Sequence, residues 1–78
     1  MRTVHMQDDE LVLLTVQFDH EDDGRWIAEI PEIPGVIVYG QTKEAAREKA
    51  TVLALRVIAD RIEHREQTAE WLTIAFGG

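Results

Sequence analysis

Seventy-eight residues make one small domain, which buries only roughly 60% of the surface its unfolded chain exposes, so modest stability and help from a partner or second copy are expected. With 45% hydrophobic and 29% charged residues, no Cys and no apolar run near the ~18 residues that span a bilayer, the composition excludes a disordered tail, a disulfide scaffold and a helical membrane protein. The net charge of −7 falls entirely before Ile33, where nine acids meet only Arg2 and Arg25, which argues against wrapping nucleic acid and for a basic partner, with a merely solubilising acidic surface as the alternative.

Residues 1–9 are polar and aperiodic and are expected to be a flexible lead-in to a single domain over 10–78; they lack the apolar core of a signal peptide, so a cytoplasmic protein is expected. From Glu10 to His20 apolar residues fall on both faces (Leu11, Val12, Leu13, Leu14, Val16, Phe18), which predicts a first strand covered on both sides or central in its sheet. Glu21-Asp22-Asp23-Gly24 is a turn, and Arg25 to Ile30 predicts a second strand, with Trp26, Ala28 and Ile30 on one face and Arg25, Ile27 and Glu29 on the other. Pro31 has no N–H to give a ladder, and Pro34-Gly35 supplies the fixed φ and then the positive φ of a type II turn from Ile33 to Val36. A third strand over Val36 to Tyr39 ends at Gly40, and Thr42 is placed to cap a helix whose first turn carries Glu44.

That helix is predicted from about Lys43 to His64, with Ala46, Ala50, Leu53, Val57 and Arg61 on the face laid against the sheet. Between Val52 and Ile62 only Arg56, Asp60 and Arg61 are polar, so apolar residues cover on the order of 260° of arc against the ~100° one sheet contact needs. Leu55, Ile58, Ala59 and Ile62 are therefore candidates for self-association, at least to a dimer, unless the closing strand and its loop cover them. The last strand is predicted over Glu70 to Phe76, with Leu72, Ile74 and Phe76 on one side. A right-handed crossover makes it parallel to the first strand. The expected fold class is α+β, β-β-β-α-β, with one helix on a four-stranded sheet of order 3-2-1-4.

That order is also the front of a ribonuclease H-like sheet, but two-metal chemistry needs carboxylates converging from the first strand, the helix and the last strand. The first strand has none between Glu10 and Asp19, and Glu48 and Glu70 are the remaining imaginable partners. His5, His20 and His64 show no ligand spacing, the acidic turn does not follow the order of a calcium loop, and Ser and Cys are absent. No catalytic residues, metal site or cofactor are expected, and the chain is not expected to be an enzyme.

The run W-x-A-x-I-P-x-I-P-G from Trp26 to Gly35, followed by G-x-T-x-E-A from Gly40 to Ala45, resembles the HicB family of antitoxins from type II toxin-antitoxin systems, over about Leu11 to Ile62. The resemblance implies a partial ribonuclease H-like fold without catalysis, which binds and masks HicA, a small basic RNA-cleaving toxin. Longer members append a segment that binds operator DNA; ending at Gly77-Gly78, this sequence is expected to be a short form that does not bind nucleic acid directly. Asp19, Glu21, Asp22, Asp23 and Glu32 are the expected toxin contacts, in keeping with the one-sided charge. An orphan structural or regulatory protein-interaction module without a toxin is the alternative.

Overall fold

The computed structural model describes residues 9–64 and 71–78, apart from the side chains of residues 9, 10, 71 and 72. Most of the expected lead-in and Glu70 thus lie outside the described residues. The elements in chain order are β1 (Asp9–Thr15), β2 (Gln17–His20), β3 (Trp26–Glu29), β4 (Ile37–Gly40), α1 (Lys43–Glu63) and β5 (Trp71–Gly77). The class is α+β, with one helix and five strands among the described residues.

The strands form two sheets rather than the expected single sheet of order 3-2-1-4. β2, β3 and β4 make an antiparallel sheet in that order, and β1 pairs, among the described strands, with β5 alone, in parallel, from Asp9↔Trp71 to Thr15↔Gly77. The predicted first strand is therefore two strands that change partners at Val16, whose N–H donates to the Gly77 carbonyl at 2.7 Å. Pro31 supplies the reason. Extending the β2–β3 register of Gln17↔Glu29 would set Thr15 opposite Pro31, which has no N–H for the ladder. The Thr15 N–H turns instead to Glu32 Oε1 at 3.0 Å. β1 thus passes beyond the reach of β3, and its leucines are not covered on both faces. Leu11 and Leu13 are 61% and 63% exposed, while Leu14 and Val16 are buried.

The turn after β3 follows its sequence closely. Val36 N–H donates to the Ile33 carbonyl at 3.2 Å, and Gly35 sits at φ +92°. A Cβ at Gly35 would meet nothing within 4 Å, so a side chain there costs backbone conformation and not space. Gly35→Val should destabilise the protein by about 1–2 kcal/mol, and an unchanged thermal midpoint would show that the turn relaxes freely to another type.

Thr42 caps α1 in an extended conformation, its hydroxyl accepting from the Ala45 N–H at 3.0 Å, with Glu44 in the first turn favoured by the dipole. At the other end His64 is the C-cap, its Nδ1 2.8 Å from the Asp60 carbonyl oxygen. Ala46, Ala50, Ala54 and Ile58 are the fully buried stripe; of the residues expected there, Leu53, Val57 and Arg61 are half-buried at its margins. Three alanines four residues apart bring the helix close to β3 and β4, where Ala28, Ile30, Ile33 and Val36 complete the core with Leu14 and Val16. At the helix N-terminus the aromatic rings are roofed by cations. Lys43 Nζ lies 4.8 Å from the Phe18 ring centre, the Arg47 guanidinium 5.1 Å from it, and His20 stacks on Trp26 at 4.4 Å.

Candidate functional site

Among the described residues a single helix covers one face of the β2–β3–β4 sheet and leaves the other bare. Side chains alternate across a strand, so with Ala28 and Val38 turned to the helix, Ile27, Glu29, Ile37 and Tyr39 turn away from it. The antiparallel register sets Gln17, Glu29 and Ile37 in one row and Asp19, Ile27 and Tyr39 in the next. Ile37 is 52% and Tyr39 42% exposed, and a shallow depression of about 240 Å³ is lined by Gln17, Phe18, Asp19, Ile27, Glu29 and Ile37.

The electrostatics of this face are one-sided. The ion pairs among the described residues are Arg25–Asp23 and His64–Asp60, so Asp19 and Glu29 are in neither. Asp19 Oδ1 accepts from the His20 N–H at 2.9 Å and Glu29 is exposed. The cations beside Tyr39 are engaged elsewhere: Arg25 Nε is 2.8 Å from Asp23 Oδ2 with its guanidinium 4.4 Å from the Tyr39 ring centre, and Lys49 Nζ donates to the Tyr39 carbonyl at 3.0 Å. Lys43 and Arg47 sit against Phe18, beside the helix. The result is an apolar strip of Ile27, Ile37 and Tyr39 edged by two carboxylates that lie outside the ion pairs of the described residues.

The five acidic residues expected from the sequence divide into three groups. Asp19 stands on the bare face itself. Glu21, Asp22 and Asp23 form the adjoining hairpin turn, closed by Glu21 N–H to the Arg25 carbonyl at 2.8 Å and by Gly24 at φ +93°. Asp23 works locally, accepting from the Arg25 backbone N–H at 3.0 Å and from its guanidinium, and the backbone bond foremost lowers its pKa. Glu32 lies at the far end of β3, where the bond from the Thr15 backbone lowers its pKa. Both carboxylates therefore favour the folded state above their unfolded pKa, and that contribution is lost as the pH falls through the lowered folded value. Glu29 joins the site although charge counting alone did not single it out; the signal was its place on the outward face with Ile27.

Of the residues expected to self-associate, Ile58 is 3% exposed and belongs to the core, whereas Leu55, Ala59 and Ile62 face outward. Glu48 is exposed on the helix, away from the sheet. Among the described residues no group of three or more His, Cys, Asp or Glu is arranged to hold a metal ion, and no helix is long and apolar enough to cross a membrane. Comparison with protein-family models, with curated proteins and with solved structures found no match to this chain.

Proposed function

We propose that this chain is a non-catalytic antitoxin that masks a HicA-type basic RNA-cleaving toxin with the bare face of its β2–β3–β4 sheet. The observation that carries the reading is the pairing of exposed Ile37 and Tyr39 with Asp19 and Glu29, which lie outside the ion pairs of the described residues, on one open surface. An RNA-cleaving toxin must carry a cationic surface to hold phosphates, and an acidic-edged apolar strip is its electrostatic complement. The motif from Trp26 to Ala45 supports the same reading, since it spans β3, the turn, β4 and the helix start from which this face is built. Charges at the edge of such a contact accelerate encounter, and the buried apolar strip sets the residence time.

The test uses a HicA-type toxin, measured for RNA cleavage with and without the chain, and for binding by surface plasmon resonance across salt concentrations. An equimolar amount of the chain should suppress cleavage. Asp19→Asn with Glu29→Gln should slow association severalfold and flatten its salt dependence, with little change in dissociation. Ile37→Asp, at a site exposed enough to spare the fold, should speed dissociation by about tenfold or more. Undiminished cleavage in the presence of excess chain would overturn the reading.

A further inference from the structure

The outward side of α1 carries a second apolar stripe, separate from the one that packs on the sheet. Val52, Leu55, Ala59 and Ile62 are spaced by three, four and three residues, the spacing that keeps side chains on one seam between two helices. At 100° per residue this seam is centred on the order of 130° away from the buried stripe of Ala46, Ala50, Ala54 and Ile58, so no rotation of the helix buries both against one sheet. Val52, Leu55 and Ile62 are 43%, 43% and 45% exposed, and Ala59 is exposed too. The over-wide apolar arc of the helix thus resolves into one seam already used and one left over among the described residues.

We infer that the second seam is the dimer interface of this chain, formed by α1 against α1 of a second copy in antiparallel orientation. Self-complementarity identifies the occupant. A two-fold axis near Val57 sets Val52 against Ile62 and Leu55 against Ala59, a large residue facing a small one in the central layers, as close helix packing requires. The flanking charges choose the direction. Arg56 and Glu63 lie on the same edge of the seam, and antiparallel crossing brings Arg56 of each copy towards Glu63 of the other. Parallel crossing would place that edge of each copy on opposite sides of the seam, leaving Arg56 and Glu63 without each other and the two helix dipoles aligned. A groove of about 400 Å³ beside Val52, lined by Glu48, Lys49, Leu53 and Arg56, gives the second helix room along that edge. The short seam fits a dimer of micromolar strength, and it leaves the bare sheet face free, so it does not depend on the toxin-masking reading.

Sedimentation equilibrium of the whole chain, from low to high micromolar concentration, tests this directly. The wild type should approach a dimer at the upper end. Leu55→Glu should raise the dissociation constant about tenfold or more while its circular dichroism stays that of the wild type, because Leu55 lies outside the core. Arg56→Glu and Glu63→Arg should each weaken the dimer several-fold, and the double exchange should restore it. A monomeric wild type at high micromolar concentration, a Leu55→Glu variant that associates like wild type, or single charge reversals without effect would each overturn the antiparallel seam.

Discussion

A single methyl group added at Gly40 should destabilise this protein more than most core truncations. The Cβ of an alanine there would stand 2.5 Å from the Ala46 nitrogen, 2.9 Å from the Ala46 Cα and 3.1 Å from the Ala45 carbonyl carbon. All three are backbone atoms of the first helical turns, so no rotamer change relieves the overlap and the helix N-terminus has to lift. Lifting it weakens what α1 contributes at that end: the Thr42 cap, the contact of Ala46 with the sheet and the cation contacts of Lys43 and Arg47 with Phe18. We expect Gly40→Ala to cost about 3 kcal/mol or more, out of the ~4–12 kcal/mol available to a domain of this size. The thermal midpoint should fall by more than ~10 °C. A midpoint within a few degrees of wild type would show that the strand end can move without disturbing the helix.

Gly40 and Gly35 illustrate how differently one residue type is used within a single motif. At Gly35 the backbone requires a positive φ and the surroundings are empty; at Gly40 the dihedral is ordinary and the surroundings are full. The first requirement is written locally, because a Pro-Gly pair after a strand already implies the turn. The second depends on a helix folding back over the strand end, which only the assembled structure displays.

The same division runs through the rest of the fold. Thr42 as cap, the extent of α1 and the outward placing of Ile27 and Glu29 were legible because each depends on neighbours a few residues away. The break at Val16 was present in the sequence in a less direct form. Once the hairpin turn fixes Gln17 opposite Glu29, Pro31 must fall opposite Thr15, and the ladder has to stop there. Reading Leu11 to Phe18 as one apolar run concealed it, since composition records how many leucines a segment has and not what lies beside each. The exposure of Leu11 and Leu13 follows from that break, because beyond Thr15 β1 has β5 alone for a neighbour among the described strands.

For the candidate site, net charge drew attention to the acidic half of the chain but not to which carboxylates the fold sets on an open face. Four of the five expected acids cluster around β2 and its turn, yet Asp23 is paired with Arg25, and the fifth, Glu32, is turned to Thr15. A carboxylate held in an ion pair or turned back to a distant part of the chain offers less to a partner than one on the open sheet face. Asp19 and Glu29 stand on that face outside the ion pairs of the described residues, Asp19 Oδ1 keeping a local bond from the His20 N–H, and the antiparallel pairing brings them together.

Ile30→Ala should be the most damaging truncation in the core and should also separate stability from binding. Ile30 is fully buried, its N–H donates to the Val36 carbonyl at 3.1 Å, and its carbonyl accepts from Ile33, so its backbone is held and the side chain alone is lost. Removing it leaves a cavity that β3 cannot collapse into, because the turn of Ile33 to Val36 fixes the chain immediately after it. The expected cost is about 3–4 kcal/mol, against about 1 kcal/mol for Ile30→Val. In urea the midpoint should fall with an unchanged slope, as a cavity alters stability without altering the surface exposed on unfolding. Ile30 points to the helix while Ile27 and Glu29 point away, so the folded fraction of Ile30→Ala should still present the acidic face intact. Scaled to folded protein at low temperature, its association with a basic toxin should keep the wild-type rate and salt dependence. A binding defect exceeding the unfolded fraction would mean that the helix side of β3, and not the bare face, carries the partner.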